Sequence, residues 1–97
     1  MRVNTRELQG QALDYAVAYS HGRSNLAIED YHPSTDWAQG GPLIEREGIE
    51  LSRAGRGWWA MVGTHAPCSG DTPLMAAMRC YVVYKWNDQI EIPKEFV

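Results

Sequence analysis

The stretch from Thr72 to Trp86 constrains this chain more than any other. Asp71 or Thr72 suits an N-cap, and Pro73 stands at the first helical position, where its missing N–H costs no hydrogen bond. Beyond it Leu74, Ala77, Met78, Tyr81, Val82 and Lys85 fall on one helical face, and Met75, Arg79 and Trp86 continue around it. A helix that is apolar on most sides has to be surrounded by other elements. With 97 residues in total, the chain has material for one core only. The expected fold is therefore a single α+β domain over residues 1–97, built about this helix.

The rest of the chain supplies the cover. Leu8, Ala12, Leu13, Ala16 and Val17 recur at helical spacing and predict a first helix from about Arg6 to Ser20. Thr5 is its expected cap and His21-Gly22 its stop, while Gly10 weakens the pattern or marks a later start. A connector follows from Arg23 to Asp30, with a short extended piece expected at Leu26-Ala27-Ile28. Ile49 to Arg53 and Trp58 to Val62 read as two strands of a hairpin turning at Ala54-Gly55-Arg56-Gly57. Gly63 to Asp71 reads as a polar loop. Gln89 to Ile92 alternates like a short strand that Pro93 ends. The expected architecture is two main helices packed on a small antiparallel sheet, the hairpin plus the C-terminal strand, with a structured loop after the first helix.

Composition removes several function classes. The formal net charge is −3, and Arg46, Arg53 and Arg56 are interleaved with Glu45, Glu47 and Glu50. That pattern lacks the clustered cations that neutralise phosphates, so nucleic acid is not the expected partner. No apolar run reaches the roughly 18–20 residues of a membrane span, and the start Met1-Arg2-Val3-Asn4 lacks the apolar stretch of a signal peptide. A cytosolic setting is expected, with Cys68 and Cys80 as free thiols.

Three runs carry a resemblance: Pro33-Ser34-Thr35-Asp36-Trp37-Ala38-Gln39-Gly40-Gly41-Pro42, then Ile44-Glu45-Arg46-Glu47, then Thr72 through Val82. Together with the first helix and the Ile90 to Pro93 segment, they resemble the NinX-like family of phage and prophage proteins. The resemblance implies a small phage-encoded accessory protein working in the host bacterial cytoplasm. It implies no established activity, cofactor or catalytic set.

The candidate site lies in the run after the first helix. Read as a loop, Asp36 to Pro42 offers the flat indole of Trp37, an acceptor in Asp36, an amide in Gln39, and the side-chain-free backbone of Gly40 and Gly41. Those groups suit a small polar or nucleotide-like ring compound. The alternative is architectural, with Trp37 plugging the core and Gly-Gly-Pro redirecting the chain. Arg79, on an otherwise apolar helix, needs solvent or a carboxylate such as Asp36 or Glu45, or else an anion in a pocket shared with Trp37. Trp58 and Trp59 point to opposite faces of a strand, so one is left to be covered by the first helix, by a ligand or by an interface, as in a homodimer or with a host protein. Binding is the leading reading. The alternatives are a small hydrolase using Glu45, Glu47 or His65, with Glu45 and Glu47 sharing a face if that segment is extended, or a structural oligomer. His65 and Cys68 form a single pair where a zinc site wants four ligands, and neither a metal nor a cofactor is expected.

Overall fold

The computed structural model describes residues 1–22 and 30–96. The proposed extended piece at 26–28 lies outside the described residues. In chain order the elements are β1 (Arg2–Asn4), a 3-10 turn (Thr5–Glu7), α1 (Gly10–Ser20), α2 (Trp37–Glu47), β2 (Ile49–Ala54), β3 (Gly57–Val62), β4 (Cys68–Gly70), α3 (Pro73–Trp86), β5 (Gln89–Glu91) and a closing 3-10 turn (Lys94–Phe96).

α3 forms as its residues predict. The Thr72 hydroxyl accepts from Met75 N at 3.1 Å, and Pro73 sits in the first turn. Eight of its residues are buried, among them Met78, Tyr81 and Val82 with no exposed surface. A sheet of order β2-β3-β4, α1 and α2 all pack against it. The sheet face turned toward α3 carries Ile49, Ala60, Val62 and Cys68, all buried, at the alternate positions a pleat requires. Gly70 allows the closest approach: a methyl there would clash with Ala76 N and lie 2.9 Å from Ala76 Cα.

Four expectations need correction. The C-terminal strand does not extend the hairpin. It pairs antiparallel with β1, Val3 opposite Ile90, because the N-terminal segment is bound to the end of α3: Thr5 N donates to Asp88 O at 2.9 Å and the buried Thr5 hydroxyl donates to Asn87 O. Thr5 is therefore a tertiary tie rather than the cap of α1, and α1 starts at Gly10, whose φ is +59°. The third strand of the hairpin sheet comes from the expected loop. Cys68–Gly70 pairs with Trp58–Ala60, a strand too short to show alternation. Finally, the structured loop is a helix. α2 runs through Gly40, Gly41 and Pro42 to Glu47, capped by Asp36 and ended by Gly48 in the left-handed region.

Candidate functional site

α2 is built by its neighbours. Asp36 Oδ1 accepts from Ala38 N at 2.9 Å, and Asp36 O accepts from Gln39 N at 3.0 Å and Gly40 N at 2.8 Å. The preceding turn is held by His32 O, which accepts from Thr35 N and Asp36 N. Gln39 then clamps that turn onto the helix. Its Oε1 accepts from His32 N, and its Nε2 donates to Asp30 O at 3.0 Å. Gly40 is buried because nothing larger fits. A methyl on it would run into Pro33 O and lie 2.7 Å from Leu74 Cδ2. Gly41 is different, with only the Trp37 ring edge near, 3.9 Å from where a methyl would sit.

These contacts assign the predicted site residues individually. Asp36, Trp37, Gln39, Gly40 and Gly41 do lie together, on the first half of one helix. The Gly40 N–H is spent inside that helix, and the Gln39 amide is spent on the turn. Trp37 is not a core plug, since its surface is 54% exposed. Arg79 turns elsewhere. It donates to Leu8 O at 2.6 Å and Ser69 O at 3.0 Å, joining the N-terminal segment to β4, and its partners are carbonyls rather than a carboxylate. Glu45 and Glu47 do not share a face, because residues two apart on a helix diverge. Glu47 pairs with Arg46 at 2.8 Å, and His65 stands edge-on to Tyr84 at 4.9 Å. Trp58 is half-buried with the Arg53 guanidinium 5.2 Å from its ring centre, whereas Trp59 is 51% exposed on the open face of the sheet. No group of three or more His, Cys, Asp or Glu that could hold a metal occurs among the described residues.

What the fold does assemble is a cleft of about 450 Å³ beside α2. Ala38, Pro42 and Arg46 recur every four residues and line it from the helix, with Gln39 and Leu43 beside them. His21, Asp30 and Tyr31 form the opposite wall, where His21 Nε2 and the Tyr31 hydroxyl share a hydrogen bond of 2.8 Å. Arg46 supplies the cation at the rim. Its guanidinium also reaches the hydroxyl of the fully buried Tyr81 at 3.5 Å. Burial pushes the Tyr81 hydroxyl above the ordinary tyrosine range, with Arg46 opposing that shift, so it stays protonated. Trp37, Gly41 and Glu45 occupy the adjacent helical face. Of the predicted ligand-binding residues Asp36, Trp37, Gln39, Gly40, Gly41 and Arg79, Gln39 alone lines the cleft. Arg46 was visible in the sequence as a cation among carboxylates. Nothing in the sequence joins His21 to Tyr31 across the intervening segment.

A search of curated proteins finds no match. The sequence model of the family described as Bacteriophage P22, NinX matches residues 19–85, a span that holds every residue of the cleft together with α2, the hairpin sheet and nearly all of α3. The match covers well over half of the chain, and the protein belongs to the NinX family of bacteriophage proteins.

Proposed function

We propose that this phage-family protein acts by binding, and that the cleft beside α2 takes a small anionic ring compound of nucleotide-like chemistry. The observation that supports it is convergence. One opening of about 450 Å³ is lined by the Arg46 guanidinium, the His21–Tyr31 imidazole–phenol pair, Asp30, and the apolar surface of Pro42 and Leu43, with the Gln39 amide engaged in holding the turn. The wall is mixed, with polar groups beside the apolar surface of Ala38, Pro42 and Leu43, and the volume is in the range of small-molecule sites. Arg46 gives the charge and the fork geometry that an anionic group prefers. Trp37, exposed on the neighbouring helical face, is the aromatic surface that this reading assigns to a base extending past the rim.

Calorimetric titration against a panel of nucleoside mono-, di- and triphosphates tests this. At least one is expected to bind, with Arg46→Gln weakening it about tenfold, as loss of one charge-assisted contact does. Absence of heat with every compound would overturn the reading, and so would affinity unchanged by Arg46→Gln.

A second reading has its own observation. The Trp59 indole stands exposed on the solvent face of the sheet, where Ser52 and Ser69 flank it across the strands. A partner protein or a second copy covering it is the alternative. Sedimentation of the free protein separates the two, since a strict monomer leaves no homodimer.

A further inference from the structure

We propose that Cys68 and Cys80 are an oxidisable dithiol, with Cys68 the attacking and Cys80 the resolving sulfur, which closes into a disulfide between β4 and α3 when the protein meets a peroxide. Neither cysteine is conspicuous in the sequence. One lies in an expected loop and the other in mid-helix, where a cysteine usually behaves as a small hydrophobe. The fold brings them together. Cys68 is paired in register with Ala60, so its side chain faces α3; Gly70, two residues further along the same strand face, lies against Ala76, one helical turn before Cys80, and each cysteine is only 2% exposed. The tight contact of Gly70 with Ala76 fixes β4 against α3 between them.

The two sulfurs are not equivalent. Arg6, from the first 3-10 turn, places Nη1 at 3.4 Å from Cys68 Sγ and is held there by a 3.0 Å bond to Pro67 O. Arg79, bonded to Leu8 O and Ser69 O, adds a second positive charge near the same sulfur. A cavity of about 220 Å³ is lined by Arg6, Trp59, Pro67, Cys68 and Ser69, and Cys80 takes no part in it. Peroxide therefore meets Cys68 first. The pair also gives up its first proton there. The Cys80 thiol donates to the Cys68 sulfur and, with Arg6 and Arg79, holds it below the ordinary thiol range against the cost of burial. The proton on Cys80 is correspondingly harder to remove.

The chemistry balances. The Cys68 thiolate attacks one oxygen of hydrogen peroxide, the O–O bond breaks, and a sulfenic acid and hydroxide form. Cys80 sulfur then attacks Cys68 sulfur, the S–O bond breaks, and the sulfenic oxygen leaves as water. Two thiols lose two electrons, and one peroxide becomes two waters. The product staples a sheet edge to the central helix, independently of whatever the cleft beside α2 binds.

The test treats the purified protein with hydrogen peroxide and counts free thiols by alkylation in denaturant, a readout that methionine oxidation does not disturb. Two thiols are expected before treatment and none after, both recovered with dithiothreitol, with a linked Cys68–Cys80 peptide in the monomer. The rate should climb with pH below the range of an ordinary thiol. Arg6→Ala, at an exposed residue, should slow it about tenfold near neutral pH through lost thiolate. Cys80→Ser should leave Cys68 trapped by dimedone as its sulfenic adduct. Thiols that stay fully alkylatable, bridges found only between chains, or a rate indifferent to Arg6→Ala would each overturn the assignment.

Discussion

α2 and α3 pack on one another, yet they are helices for different reasons. α3 has its own start in Thr72-Pro73, good helix formers from Leu74 to Arg79, and apolar groups on most sides. α2 carries two adjacent glycines and a proline within its first two turns, residues that are among the poorest helix formers. What makes α2 a helix is outside it: the Gln39 clamp on His32 and Asp30, and the seat of Gly40 on Pro33 and Leu74. One helix would be expected from local propensity and pattern, and the other exists because its surroundings select it.

Adjacent glycines give the sharpest way to break that comparison. Gly40→Ala should cost about 3 kcal/mol, at the upper end of overpacking, because the obstacle is backbone at Pro33. Chemical denaturation measures it, and a change below the noise would mean that Gly40 does not seat the helix. Next in size is the tie between α1 and the turn before α2, where buried Asp14 accepts from Ser34 N at 2.9 Å. Asp14→Ala should cost about 1–3 kcal/mol by leaving that donor without a partner.

Asp14→Asn keeps the acceptor and isolates the charge. Burial raises the Asp14 carboxyl above its ordinary 3.8, opposed by its bonds to Ser34 and by His32. The folded state therefore holds the proton more tightly. The associated stability is complete below 3.8 and declines as pH rises through the folded value. The difference between wild type and Asp14→Asn should follow that decline, and a flat difference would remove the burial argument. Glu91 runs the other way, its carboxyl held low by the Met1 amino group at 2.8 Å, and cancels in the comparison.

Caps should separate the helices less. Asp36→Ala and Thr72→Ala each lose one side-chain acceptor and should cost about 1 kcal/mol. The smallest effect has the opposite sign. Gly41→Ala, in open space on α2, should stabilise by about 0.5–1 kcal/mol, since alanine has less chain freedom to lose. Thermal melts of the Gly40 and Gly41 variants side by side show whether close packing or propensity governs this helix.

The hairpin and α3 were legible because their signals are local: a glycine-bearing turn of the right length, alternation, a cap and a proline. The residues 36–41 were legible as a group but not as a helix, and their strongest apparent feature, the diglycine, proved to serve packing at Gly40. The cleft was not legible as a unit, although Gln39 and Arg46 stood out singly. His21, Tyr31 and Arg46 meet only after α1, the turn at 30–36 and α2 have docked.

By itself the sequence determined the central helix, the hairpin and the α+β class, because periodicity and turn chemistry act over a few residues and need no partner. Only the tertiary structure decided the pairing of β1 with β5, the helical state of Trp37–Glu47, the cleft, and the meeting of Cys68 with Cys80. Each of those depends on contacts between segments distant in the chain, whose free energy appears only once both sides are in place.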